Sequence, residues 1–117
     1  MTPQSNTFFG QKVSQPGVNV NHATDNQLLY KNDYSSQTFY GTNGNITFGA
    51  FTSSITGNQV QGQQIVDSSG NVTFEQDGQT QYWFDGNGYN IMQVGLLPDG
   101  TYGWVVATPG TNVADSY

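Results

Sequence analysis

The 117-residue sequence contains no cysteine, no arginine and only two lysines. Without cysteine the chain can form neither a disulfide framework nor a thiolate metal site, so cysteine usage does not indicate a redox compartment. Eight acidic residues give a net charge of −6, and charged residues make up 9% of the chain, against about 25% in an ordinary globular protein. Binding to nucleic-acid phosphates requires basic side chains that displace counterions, so we expect no nucleic-acid partner.

Long apolar runs are also missing. No stretch approaches the ~18 apolar residues of a membrane span, so we expect no membrane insertion. The first residues lack the basic start and the apolar core of a secretory signal peptide, so we expect no ordinary cleaved leader.

Large apolar residues of the kind that form a core are scarce. Leu, Ile, Val and Phe together number 25 of 117, close to the roughly 20% level at which chains begin to look disordered. The 16 aromatic residues argue against disorder, because each buries a large area and favours strands. A small domain of this composition can gain stability by sharing its core with identical copies, so we expect a homo-oligomer.

What the sequence does contain is a series of short apolar or alternating runs separated by turn residues. Asn43-Gly44 and Asp99-Gly100 are hairpin dipeptides, and alternation places Ile46, Phe48 and Ala50 on one face. Residues 52–64 carry the weakest pattern and are predicted to be a surface loop or an edge strand. The other predicted strands are 7–13, 18–21, 27–31, 37–40, 46–51, 64–67, 71–75, 79–84, 89–97 and 101–106.

No stretch shows a helical period with caps. These strands, with turns every 8–12 residues, predict an all-β fold with little or no helix: an antiparallel β-sandwich or barrel, or an intertwined module of short strands. We expect one β domain over residues 7–117, preceded by a polar segment, 1–6, that is flexible or bound to a partner.

One pattern, G-x-x-V-x-x-P-G-x-N-V, occurs twice, at residues 10–20 and 103–113. We interpret it as a single strand-to-exit turn used at both ends of the domain, with Pro-Gly turns at 16–17 and 109–110. The alternative is that Pro-Gly turns after valine-rich strands are simply common.

Residues suited to catalysis are few. The only histidine, His22, lies in a turn-like segment, and no serine occupies a G-x-S-x-G nucleophile elbow. An acid pair such as Glu75 with Asp85 could serve a glycosidase, but nothing in the sequence favours it. We therefore expect no enzyme activity and no cofactor.

The turn that follows residue 84 offers two weak binding patterns. Asp85 and Asn87 place oxygen ligands at alternate positions, as a calcium loop does, but the later glutamate is missing and a plain turn is favoured. Tyr82, Trp83 and Tyr89 are candidates for stacking on a sugar ring. Alternation sends Tyr82 and Phe84 to one face and Trp83 to the other, so only part of this cluster could form a platform.

Residues 27–40 (QLLYKNDYSSQTFY) and 97–103 (LPDGTYG), with the valine strand and Pro-Gly turn that follow, resemble structural modules of bacteriophage tail and fibre proteins. The resemblance covers about 40 of the 117 residues. It implies a homotrimeric structural protein of the virion, in contact with other virion proteins and with a host-surface glycan as a further partner. Because the chain has no repeated shaft or collagen-like segment, it favours a small component attached to something larger.

Two other interpretations stay open. The chain could be a carbohydrate-binding β-sandwich module that uses Tyr82, Trp83 or Tyr89. It could also be a self-assembling filament subunit on a bacterial surface, because low charge, Gln and Asn richness and β-propensity suit open-ended strand addition.

Overall fold

The computed structural model describes residues 18–21, 28–33 and 35–117. Nine strands form one antiparallel sheet in which every strand pairs with its neighbours in sequence. They are β1 (Val18–Asn21), β2 (Leu28–Asn32), β3 (Ser36–Gly41), β4 (Gly44–Thr52), β5 (Gln59–Asp67), β6 (Val72–Asp77), β7 (Thr80–Phe84), β8 (Asn90–Leu96) and β9 (Tyr102–Val106). A single turn of 3₁₀ helix, Val113–Ser116, follows.

The prediction of an all-β antiparallel fold is confirmed. Its strands form one continuous sheet, so a single chain does not supply the two packed sheets of a sandwich within the described residues. The predicted strand 7–13, the segment 1–6, the Pro-Gly turn at 16–17 and His22 lie outside the described residues. Among the described residues, no helix has the length and hydropathy needed to span a bilayer.

Hairpin turns fall where the dipeptides predicted them. The β8–β9 turn contains Gly100 at a φ of 87°, a left-handed conformation that glycine adopts without strain. Asp99 Oδ1 accepts hydrogen bonds from the Thr101 backbone N–H at 3.0 Å and its hydroxyl at 2.7 Å. Asp67 closes the β5–β6 turn in the same way, through the N–H groups of Ser69 and Asn71. These short acidic side chains therefore satisfy turn backbone groups.

The prediction for residues 52–64 was wrong in its second half. Residues 53–58 do form a loop, but Gln59–Asp67 is β5, a central strand between β4 and β6. All nine residues of β4 pair with those of β5. Backbone pairing on both sides holds this strand although four of its nine residues are glutamines. Its alternating pattern is weak because neither face of the strand is sealed from water.

The sheet has two unlike faces, because neighbouring residues on a strand point to opposite sides. The open face is the one that carries Ile46, Phe74 and Trp83. The cleft face is the one that carries Gln64, Glu75 and Tyr82, which pair directly across β5, β6 and β7. The 53–58 loop and the C-terminal segment 107–117 contact the cleft face.

The buried apolar residues do not lie in the centre of the open face. They are Phe51, Phe84, Leu97, Ala107 and Val113. Val113 begins the 3₁₀ helix, which packs against β8. The described part of the chain measures 53 × 29 × 20 Å. It is therefore an elongated sheet whose small core lies beneath non-strand segments.

Candidate functional site

One row of apolar side chains crosses the whole open face. Directly paired residues of antiparallel strands point to the same side, and the pairing register places nine apolar residues opposite one another, one from each strand. They are Val20, Tyr30, Phe39, Ile46, Ile65, Phe74, Trp83, Met92 and Val106. None of the nine is buried. We call this set the apolar row.

Aromatic rings contact each other along the open face. The ring centroids of Tyr30 and Phe39 are 4.8 Å apart, and those of Phe74 and Trp83 are 4.7 Å apart. Phe39 also meets Phe48 edge-on at 6.3 Å. Tilted and edge-on pairs at these distances are the favourable arrangements of aromatic rings. These ring contacts therefore hold the aromatic side chains of the open face in position, even where they are exposed.

A second row beside the apolar row carries neutral side chains. The register aligns Gln37, Phe48, Gln63, Gln76, Gln81, Val94 and Trp104. Neither row contains a charged residue. The acidic groups of the described residues lie in turns and loops, at the end of β5 (Asp67) or, as Glu75 and Asp77 do, on the cleft face. The chain therefore carries a net charge of −6 without placing charge on the centre of its open face.

The last strand continues this surface to the edge of the sheet. Tyr102, Trp104 and Val106 of β9 point to the open face, and Trp104 is 71% exposed. The Tyr102 hydroxyl donates a hydrogen bond to Gln79 Oε1 at 2.7 Å. No described strand pairs with the outer edge of β9. An apolar edge strand without proline or lysine is suited to pairing with another chain.

On the cleft face, Glu75 is 1% exposed and lies at the centre of a hydrogen-bond cluster. Its Oε1 accepts from the Ser54 N–H at 3.0 Å, and its Oε2 accepts from the Ser54 hydroxyl at 2.6 Å and from Gln64 Nε2 at 2.9 Å. A buried carboxylate without a cation needs such donors. Glu75 therefore attaches the 53–58 loop to the sheet.

Two titrating groups near Glu75 are perturbed. Burial, and then the charge of Glu75, raise the pKa of Asp77. Burial, and then the charge of Asp77, raise the pKa of Tyr82, so its hydroxyl stays protonated at neutral pH. The cleft face is thus a partly desolvated and negatively charged environment.

A cavity of about 450 Å³ lies on the cleft face. Its floor is formed by β7 and β8, and its walls come from the 53–58 loop, the β8–β9 turn and the C-terminal segment. Its lining includes Thr80, Tyr82, Phe84, Asn90, Gln93, Leu96, Asn112 and Asp115. Asn112 Oδ1 accepts a hydrogen bond from the Asn90 N–H at 2.8 Å, which holds the C-terminal segment against β8.

The structure separates the three predicted sugar-stacking residues. Tyr82 lines the cavity on the cleft face, Trp83 belongs to the apolar row, and Tyr89 is exposed beside the β7–β8 turn. Tyr82 and Phe84 both line the cavity and Trp83 points away from it. This agrees with the alternation that placed Tyr82 and Phe84 on one face and Trp83 on the other. These three residues do not form one platform.

The candidate metal and acid residues have backbone partners. Asp85 Oδ1 accepts from the N–H groups of Asn87 at 2.8 Å and Tyr89 at 3.0 Å, which is a turn arrangement. The carboxylate of Glu75 is occupied by Ser54 and Gln64. Within residues 18–21, 28–33 and 35–117, no three His, Cys, Asp or Glu side chains are grouped to hold a metal ion.

The second copy of the repeated pattern has a clear structural basis. Gly110, at a φ of 82°, turns the chain after β9. Asn112 then bonds to β8, and Val113 is buried. The Asn-Val pair of the pattern therefore anchors the C-terminal segment. Of the first copy, only residues 18–20 lie in the described part of the chain, where they belong to β1.

No protein-family model matches the chain, and no curated protein or solved structure shows significant similarity to it. Sequence reasoning missed the apolar row and the cavity. Both depend on which residues are paired across strands, and only the alternation of Ile46 and Phe48 gave a local signal for the open face.

Proposed function

We propose that this chain is a non-enzymatic structural component of a virion and works as a homo-oligomer whose open faces pack together. The observation that carries the proposal is the apolar row, which crosses nine strands and of which no member is fully buried in the single chain. An uncovered apolar surface of this size marks an interaction site in a soluble protein.

The partner that suits this face best is a second copy of the chain. A face of 53 × 29 Å covers about 1,500 Å², whereas a stable interface needs about 800 Å² per partner. Charge repulsion between copies is small there, because neither central row carries a charge. Three copies are the stoichiometry that the resemblance to phage fibre modules favours.

Sedimentation velocity over a range of protein concentrations tests the assembly. We expect the wild type to be an oligomer and the Trp83→Glu variant to dissociate, because it places a carboxylate in the apolar row. Tyr89→Glu is the matched control: Tyr89 is 37% exposed and Trp83 is 40% exposed, but Tyr89 lies outside both rows. A monomeric wild type, or a Trp83→Glu variant that stays assembled, would contradict the proposal.

The virion assignment needs a separate test. Antibodies raised against the chain are expected to label purified phage particles from the source organism, and labelling of bacterial surfaces alone would contradict it. The outer edge of β9, with which no described strand pairs, favours a filament subunit as the second candidate. Electron microscopy of the purified protein distinguishes the two, because a filament would be open-ended.

A further inference from the structure

The cavity on the cleft face is lined by two buried amide residues, Asn90 and Gln93, whose side-chain carbonyl oxygens have no hydrogen-bond partner among the described residues. Asn90 is 4% exposed and Gln93 is 6% exposed. Asn90 Nδ2 donates to the backbone oxygens of Trp83 and Met92, and Gln93 Nε2 donates to that of Leu96, which fixes the orientation of both amides. Their side-chain oxygens, Oδ1 and Oε1, accept no hydrogen bond from any described residue.

These two oxygens face open space. No buried side-chain nitrogen or oxygen among the described residues lacks a partner, so each of these unpaired oxygens retains contact with solvent. Both residues line the cavity, which is the space next to them. A ligand there would need hydrogen-bond donors, because a carboxamide oxygen can only accept.

The other residues that line the cavity indicate which class of ligand it suits. The Tyr82 hydroxyl is protonated at neutral pH and can donate, and Ser54 forms part of the wall. Phe84 and Leu97 supply apolar surface. A sugar ring has hydroxyl groups at its edge and C–H groups on its faces, so it matches both the polar and the apolar parts of the lining. The volume of about 450 Å³ lies in the usual range of small-molecule pockets, about 300–1,000 Å³.

The negative charge of the cavity wall excludes anionic sugars as ligands. Asp115 lines the cavity, and Lys31, the lysine of the described residues, does not. A sialic or uronic acid, or a phosphorylated sugar, would bring its negative charge next to Asp115 without a cation of the described residues to offset it. We propose that this cavity binds a neutral saccharide residue through Asn90 and Gln93. The proposal does not depend on assembly, because the apolar row lies on the opposite face.

Titration of the ¹⁵N-labelled full-length chain with neutral methyl glycosides tests the proposal. We expect at least one of the methyl glucosides, galactosides, mannosides or N-acetylglucosaminides to shift the side-chain amide signals of Asn90 and Gln93. The corresponding glucuronide and sialoside should bind at least tenfold more weakly. Failure of every neutral glycoside, or equal binding of the acidic ones, would overturn it.

Two variants locate the site. Ala114→Trp introduces a bulky side chain at an exposed position on the cavity wall and is expected to weaken glycoside binding at least tenfold. Ser69→Trp, in the exposed β5–β6 turn, is the matched control and should bind as the wild type does. Gln93→Met, with an unfolding curve to check its fold, removes one acceptor and is also expected to weaken binding. Unchanged binding by Ala114→Trp and Gln93→Met would contradict the assignment.

Discussion

Glu75 shows how one buried side chain determines the position of a loop. Its carboxylate accepts hydrogen bonds from Ser54 and Gln64, and among the described residues no lysine forms an ion pair with it. Such an acid is tolerated only because donors replace the water it lost. The sequence offered little to identify it, since Glu75 stands in an ordinary strand pattern and its partner Ser54 is 21 residues away.

Replacing this acid by its amide should destabilise the fold. In Glu75→Gln, one end of the side chain becomes a donor and meets the donors of Ser54 or Gln64. We expect a loss of about 1–3 kcal/mol in the free energy of unfolding, measured by urea denaturation. Asp33→Asn, which removes only the exposed ion pair with Lys31, should leave the free energy of unfolding nearly unchanged. Equal stability of the two variants would contradict the role given to Glu75.

Asp77 should make stability depend on pH in the opposite sense from a salt-bridged acid. Burial and the nearby Glu75 raise its pKa in the folded state, so protonation favours folding. The contribution of Asp77 is fully favourable below its ordinary value of 3.8 and is lost as the pH rises through the higher folded value.

Asp77→Asn removes this dependence. The variant should match the wild type below the ordinary carboxyl range. It should become more stable than the wild type as the pH rises above that range, and the difference should level off by neutral pH. Thermal denaturation across this pH range measures it. A variant that is less stable than the wild type at pH 7 would show that the charge of Asp77 stabilises the fold.

At the scale of elements, close strand approach depends on glycine in β5. A Cβ built on Gly62 would overlap the backbone oxygen of Gln76 in β6. Gly62→Ala should therefore push the two strands apart and lower the free energy of unfolding by at least about 1–3 kcal/mol. Gly86→Ala is the control, because its Cβ would meet open space and its φ is not left-handed. Similar stabilities of the two variants, measured by denaturation, would contradict this account.

Turns and most strands could be predicted because their signals are local. Asn43-Gly44 and Asp99-Gly100 require only glycine's freedom at positive φ, and in the second turn Asp99 also bonds its own turn. The first half of β5, Gln59–Gln64, could not be predicted, since pairing with β4 and β6 holds it and its glutamines carry little apolar pattern. The 3₁₀ turn at Val113–Ser116 is too short to leave a helical period.

At the scale of the whole molecule, the candidate sites depend on register. Ile46 and Trp83 become members of one row only through three successive pairings, across β5 and β6. One of those pairings contains an irregularity beside Ile65, and a one-residue slip would have reversed every later strand. No window of sequence contains that information. Composition supports a separate prediction at this scale: scarce apolar side chains favour a core that identical copies complete.

Shared burial makes a final prediction about stability. If the open faces cover one another, unfolding must also separate the copies, and mass action raises the melting temperature as protein concentration rises. We expect the thermal midpoint of the wild type and of Tyr89→Glu to increase over a hundredfold range of concentration. The midpoint of Trp83→Glu should be lower and independent of concentration, because its apolar row no longer supports assembly. A wild-type midpoint that does not change with concentration would mean that each copy is stabilised by its own residues alone.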